Sequence, residues 1–371
     1  VSPHSTDHDR PGAEIGSDTD REPVIVLGRR TAFGRVNGGL AQLTADRLLA
    51  PVLAALLADS GVAPDTVDDV IVGNAVGGGG NVARLSLLRA GLPVSVPGLT
   101  VDRQCGSGLE AIVLACRLVA AGAGDVYLAG GVESCSTAPL RAHRLSSTPG
   151  RPDFFDRVRF SPDEVGDPEM GVAAENVADR FGITRERQDA FALRSHRLAI
   201  AASESGQLTE EIVTLDTDTG RVDADEGPRR SLTAGLLPRF APAFRAGGTV
   251  TAGNSCADAD GAVAVLVTSR RTADALGLGG GLRFVDSAVT GTNPVLLGIA
   301  EERANPQGGA LAVGHPFGAS GALLVLNLLR QCRAAASAGD LGLTAVSIAG
   351  GLGVAALWRW DGTVGGSRRG R

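Results

Sequence analysis

The sequence predicts an α/β protein with a largely parallel sheet, two related halves and an inserted, mostly helical lobe. Short apolar runs alternate with helix-like stretches from Pro23 onward, the rhythm of strand–helix–strand units. Between about Arg141 and Gly248 the character changes: Arg, Asp, Glu and Pro become frequent and the helical pattern turns amphipathic. A glycine-bounded pattern also occurs twice. Cys105-Gly-Ser-Gly, an apolar helix, a strand and Ala129-Gly130-Gly131 form one copy; Gly318-Ala-Ser-Gly321, a second apolar helix, a strand and Ala349-Gly350-Gly351 form the other. Internal repetition of this kind would set two reactive loops face to face.

Val24 to Leu27 reads as a short buried strand. Thr44 can cap a helix whose apolar positions are Leu48, Leu49, Val52, Leu53, Leu56 and Leu57, with Gly61 at its end and a kink expected at Pro51. Val70 to Val72 is a second strand that runs into the glycine-rich loop Gly73 to Asn81. That loop lacks GxxxxGK[ST] and reads as a structural crossing, not a phosphate cradle. After Gln104-Cys105-Gly106-Ser107-Gly108 comes an apolar helix from Leu109 to about Ala121, then a strand over Val126 to Ala129 closed by Gly130-Gly131. Within the lobe, Gly171 to Ala202 is the clearest helical part, with Thr184 as a cap for its second segment. The body resumes at Thr249. The expected organisation is a flexible tail over 1–22, a first half over 23–140 completed by 249–270, the lobe over 141–248, a shortened second half over 271–361, and a tail over 362–371.

Composition narrows the function. The hydrophobic fraction is 43% and the charged fraction 20%, ordinary for a globular protein. Net charge is −6, and the one basic cluster is Arg368, Arg369 and Arg371, so nucleic acid is not an expected partner. Apolar stretches are too short to span a bilayer, and the first residues lack the apolar core of a signal peptide; no membrane association and a cytoplasmic location are expected. The five cysteines (Cys105, Cys116, Cys135, Cys256 and Cys332) form neither a CxxC pair nor a His–Cys ligand spacing, which points to free thiols and no metal site. The chain contains no Lys, which excludes a Lys Schiff base.

Cys105 is the sharpest chemical feature. A thiol before a helix meets the positive end of the dipole and unpaired N–H groups, both of which favour thiolate. A free N–H there can also hold an oxyanion; the plain alternative is a buried thiol beneath a tight turn. His315 is the one histidine framed by glycines between a strand and a helix. It could take the Cys105 proton and return it, or be a hydrogen-bonded structural residue. Ser347 ends a strand before Ala349-Gly350-Gly351, and its hydroxyl could equally be satisfied by the backbone.

In order along the chain, several stretches resemble the thiolase family: Gly73-Asn74 with Ala83-Arg84, Cys105-Gly-Ser-Gly-Leu, Gly130-Gly-Val-Glu-Ser134 with Ala138-Pro139, Met170-Gly171 with Ala174 to Ala178, Gln188 to Ala192, Gly248 to Asn254, Asp260-Gly-Ala262, Gly308 to Pro316, and Gly350-Gly351-Leu-Gly353. The resemblance covers about Pro23 to Trp360. It implies two βαβαββ-type halves in layered α/β/α/β/α packing, a loop lobe over coenzyme A, and a homodimer or dimer of dimers. It casts Cys105 as the acyl-accepting nucleophile, His315 as its base, and the N–H groups of Cys105 and Ala349 as an oxyanion hole. Met170, Ser255, Cys256 and Phe317 fall at substrate-binding positions. A coenzyme A thioester is implied as substrate, or an acyl carrier protein as donor, with no permanently bound cofactor.

Three departures bear on the reaction. The family's second cysteine, which removes the α-proton of the attacking acetyl group, is Ser347 here, and Cys256 stands where a pantetheine-contacting Ser is common. The Asn-Glu-Ala-Phe segment is missing between Pro294 and Asn305, unless Ala300 to Ala304 is a remnant of it. The expected activity is therefore acyl transfer through Cys105 to a second nucleophile such as an amine, alcohol or water. A conventional thiolase catalysing condensation or thiolysis, and a catalytically silent thiolase-fold partner, are the alternatives.

Overall fold

The main elements in chain order are β1 (Pro23–Thr31), α1 (Ala45–Ser60), β2 (Asp69–Gly73), α2 (Val82–Arg89), β3 (Gly98–Val101), α3 (Ser107–Ala120), β4 (Val126–Ser134), α4 (Met170–Phe181), α5 (Arg185–Glu204), β5 (Ala259–Ser269), β6 (Leu282–Gly291), α6 (Phe317–Ala335), β7 (Leu341–Ile348) and β8 (Leu352–Trp360). The computed structural model describes residues 19–143, 152–155, 157–295 and 305–362. Most of the two expected tails, and the Ala300–Ala304 stretch, lie outside the described residues.

Alternation along the strands dictates the layering. Val24 and Val26 join one apolar cluster and Ile25 the other; Val70 and Val72 part from Ile71 in the same way. Successive side chains point to opposite faces, so this part of the sheet is buried on both sides. Residues of α1 and α2, such as Leu48, Leu53 and Leu87, cover one face. On the other face lie α3 and α6, through Leu109, Ile112, Val325 and Leu326. The same two helices also meet Phe284, Ile348, Val354 and Trp358 of the second half, so they form the central layer between two sets of strands.

The sheet order is β7-β8-β6-β1-β5-β4-β2-β3. Only β2–β3 and β2–β4 pair in parallel; the other neighbours along this path are antiparallel. The sheet is thus mixed, not largely parallel. For β7 and β8 the reason is local: only Ala349, Gly350 and Gly351 separate them, and a parallel pair needs a crossover of a dozen or so residues. Within the sheet, the two halves join through two register pairs, Val24 with Arg283 and Ile25 with Leu282.

The second half contributes three strands among the described residues, β6, β7 and β8, against five in the first. One edge of β7 is unpaired there, and Leu341 and Leu343 on its outward face are 61% and 66% exposed. This is the form the shortening takes.

Local details depart from expectation in instructive ways. The strand expected to close at Gly130-Gly131 runs on to Ser134. A Cβ on Gly130 would lie 2.0 Å from the Val263 carbonyl oxygen, and one on Gly131 would lie 1.8 Å from that of Gly318; these glycines permit close packing within a strand. Thr184 caps α5 as expected, accepting from Arg187 N–H. Thr44 precedes α1, but its hydroxyl donates to Asp46 at 2.6 Å and does not cap. Pro51 sits inside a helix that continues to Ser60.

A buried ion cluster pins the lobe to the body. Arg30 on β1 donates to Glu211 at 2.7 Å and to both oxygens of Asp225 at 2.7 and 2.9 Å. Glu211 also pairs with Arg330 of α6. Burial works against the Arg30 charge, but Asp225 and Glu211 outweigh it and raise its pKa further. Arg30→Met would leave Asp225 without its main cation in a buried place, at a cost of about 3–5 kcal/mol. The urea midpoint should fall accordingly; a loss below ~1 kcal/mol would mean the carboxylates simply hydrate.

Candidate active site

Cys105 lies in a one-turn 3-10 segment, Gln104–Gly106, that leads directly into α3. Gln104 adopts φ 48°, a left-handed conformation that costs a non-glycine residue about 1–3 kcal/mol. Neighbouring side chains hold it there. Asp102 Oδ1 accepts from Gln104 N–H at 2.7 Å, and the Ser107 hydroxyl donates to Gln104 O at 2.6 Å while accepting from Arg103 N–H.

The second half approaches through absent side chains. A Cβ on Gly106 would lie 2.4 Å from Ile348 Cδ1, and one on Gly108 would lie 2.4 Å from Gly318 O. The N-terminal ends of α3 and α6 therefore sit backbone against backbone. The Ala349–Gly351 turn, with φ of 79° and 73° at Gly350 and Gly351, brings the Ala349 backbone near enough to Cys105 to favour its thiolate, as does the backbone of Cys105 itself.

His315 is fixed from three sides. Its backbone N–H donates to Ala257 O at 2.8 Å, and it forms an isolated bridge with Asp258. Its Nδ1 lies 2.7 Å from Ser320 Oγ, whose hydroxyl donates to Pro316 O at 3.0 Å. A hydroxyl has one proton to give. That proton can go to Pro316 O or to Nδ1; the first arrangement makes Nδ1–H the donor to Ser320 and leaves the lone pair on Nε2. Phe317 packs edge-on to the ring at 5.0 Å between centroids.

Segment 256–258 is the neighbour common to both reactive residues. It holds His315 through Ala257 and Asp258, while Cys256 and Asp258 act electrostatically on Cys105. A cavity of about 410 Å³ opens beside it, lined by Ala257, Asp258 and Gly314 on one side and by Arg35, His196 and Arg229 on another.

The description "Thiolase, N-terminal domain" matches residues 23–271, and "Thiolase, C-terminal domain" matches 287–359. The chain belongs to the thiolase family. It is 42% identical to YhfS of Bacillus subtilis over 380 residues, covering 90% of this chain and 98% of that protein. It is 40% identical to VraB of Staphylococcus haemolyticus, covering 92% and 99%. Both relatives are named as acetyl-CoA C-acetyltransferases. A crystal structure of the Bacillus anthracis acetyl-CoA acetyltransferase superposes with a TM-score of 0.85 at 31% identity, over 93% of this chain and 100% of that one. The 380 aligned positions outnumber the nine-tenths of this chain that takes part, so the relative carries residues with no counterpart here.

In this acyltransferase, burial governs the resting charges. It pushes the Cys105 thiol up to about 11, against the pull of the Ala349 N–H, and lowers His315 to about 4. The expectation that the helix end would favour thiolate is thus reversed: desolvation wins over the dipole. The resting pair is a neutral thiol and a neutral imidazole.

The remaining predicted residues divide. Phe317, Ser255 and Cys256 lie with the cluster; Cys256 is exposed, and the Ser255 hydroxyl is buried without a hydrogen-bond partner. Met170 is the first residue of α4, half-buried on the lobe. Ser347 is exposed on the outward series of β7, opposite in direction to buried Ile348, and no hydrogen bond joins it to Cys105 or His315.

Sequence reasoning missed three residues. Ser320 was visible in the repeated Gly318-Ala-Ser-Gly321 but had no assigned task. Asp258 carried no signal beyond its closeness to Cys256. Glu133, inside a quoted motif, accepts from Asn74 Nδ2 and from the backbone N–H groups of Ala75, Val76 and Gly318 at 2.7–3.1 Å. Burial pushes it up to about 7 against these donors.

With a thiol near 11, alkylation of Cys105 by iodoacetamide should rise about tenfold per pH unit between neutral pH and pH 10. Peptide mapping checks this; a plateau near pH 7 would reveal a thiolate already formed.

Proposed function

We propose that this protein transfers acyl groups through a thioester on Cys105, taking the acyl group from an acyl-CoA or a carrier-bound thioester. One observation carries the reading: the backbone of Ala349 from one half and that of Cys105 from the other both favour a thiolate at Cys105, in the same cluster as a histidine held at Nδ1 by Ser320. His315 takes the thiol proton as the sulfur attacks the thioester carbonyl. The N–H groups of Ala349 and Cys105 hold the resulting oxyanion. The carbon–sulfur bond to the donor then breaks, and the departing thiolate receives the proton from His315. The acyl group remains on Cys105 until a second nucleophile takes it.

Support for a phosphate-bearing donor comes from Arg35 and Arg229, which give the adjoining cavity a cationic wall. The donor is a substrate, and the chemistry assigned here calls for no resident cofactor. The homodimer implied by the family resemblance belongs to the same proposal. The names of the relatives favour carbon as the acceptor, which is the conventional thiolase reading.

Incubation with acetyl-CoA followed by intact-protein mass spectrometry should show one acetyl adduct, absent from Cys105→Ala. His315→Ala should slow adduct formation by about 10²–10⁴-fold, the usual worth of a positioned base. An adduct that persists in Cys105→Ala would move the nucleophile elsewhere; no adduct with acyl-CoA or carrier-bound donors would favour a silent partner.

A further inference from the structure

We propose that Cys256 is a catalytic residue: its thiolate removes the α-proton of a second acyl thioester, making that carbon the acceptor of the acyl group on Cys105. The assignment rests on the Cys105 reading above and adds the half-reaction that reading leaves open.

Acyl transfer to carbon needs a base beside the acyl-enzyme. Ser347 is poorly suited: it is a hydroxyl, it faces outward on β7, and no basic group is hydrogen-bonded to it among the described residues. Cys256 is a thiol, and it stands beside the residues that hold His315. Its side chain is exposed. It directly precedes Ala257, whose carbonyl receives the His315 N–H, and it stands two residues before Asp258, which is bridged to His315. Cys256 is also near enough to Cys105 for the two thiols to interact electrostatically.

Asp258 supplies the place for a proton. Its carboxylate has no hydrogen-bond partner among the described residues, its pKa is raised by the surrounding protein, and it acts on Cys256 directly. The surrounding protein raises the Cys256 thiol to about 11 although its side chain reaches the surface, and Asp258 adds to the effect; a thiolate formed there is a strong base.

The steps balance. Cys256 passes its proton to Asp258 and, as thiolate, takes a proton from the α-carbon of the second thioester. The carbanion attacks the acyl carbonyl on Cys105. The new carbon–carbon bond forms and the carbon–sulfur bond to Cys105 breaks. The Cys105 thiolate takes the proton now on Cys256, and Asp258 returns the first proton to Cys256.

Exchange of acetyl-CoA methyl protons in D₂O, followed by mass spectrometry of the recovered acetyl-CoA, reports this step apart from acylation. The parent protein should acylate Cys105 and exchange. In Cys256→Ser and Cys256→Ala, exchange divided by the measured rate of Cys105 acylation should fall by about 100-fold or more, because a hydroxyl or methyl is a far weaker base. Asp258→Asn should lower the same ratio. Acylation without exchange in the parent protein overturns the assignment, as does parent-like exchange in both Cys256 variants or loss of exchange in Ser347→Ala in their place. Failure of the parent to acylate Cys105 at all would instead bring down the acyl-transfer reading, and this assignment with it.

Discussion

The close approach of two helix ends is the constraint on which the rest of this molecule depends. Gly108 and Gly318 touch through backbone atoms because neither carries a side chain, and Gly131 leaves room for the same Gly318 carbonyl. Backbone packed this tightly brings N–H groups out of water, and buried N–H groups need partners. Glu133 supplies them, accepting from the loop after β2 and from the first turn of α6. One carboxylate thus ties strand, loop and helix together at the point where Cys105 and His315 are presented. Moving either helix end by an ångström would break that set of bonds.

The same burial sets the chemistry. A thiol and an imidazole that are both neutral at rest avoid the cost of holding a desolvated charge pair. Under the proposed acyl transfer, charge would appear only with substrate bound, and the backbone of Ala349 and Cys105 would meet it. Preorganised dipoles of this kind act on the transition state without reorganising. The Ser320 hydroxyl contributes by holding the imidazole at its Nδ1 edge, which leaves Nε2 without a hydrogen-bond partner among the described residues.

Much of this was legible in the sequence because glycines mark close approach and repetition marks pseudo-symmetry. Cys105-Gly-Ser-Gly and Gly318-Ala-Ser-Gly321 pointed to two opposed helix ends, and α3 and α6 pack in that way. The hold on the imidazole and the Glu133 clamp were not legible, since each depends on contacts whose geometry no spacing encodes; Glu133 and Gly318 stand 185 positions apart. Strand direction was misjudged because alternation of strands and helices says nothing about the return strands β1, β5 and β8. The thiolate expectation failed because a helix end is a local signal, whereas desolvation depends on everything packed around the sulfur. The outward turn of Ser347 follows from buried Ile348, but only once the buried face of β7 is known.

By chain order α3 belongs to the first half, yet its inner side completes the apolar core under β8 as well as that under β4 and β5. The three strands of the second half share their core between this helix and α6. The boundary between the halves is therefore a boundary in sequence and not in cohesion. A chimera that exchanged only the stretch after residue 270 for that of a relative would inherit a mismatched α3. Evolution of the shortened half must have proceeded jointly with the face of a helix encoded more than 150 residues earlier.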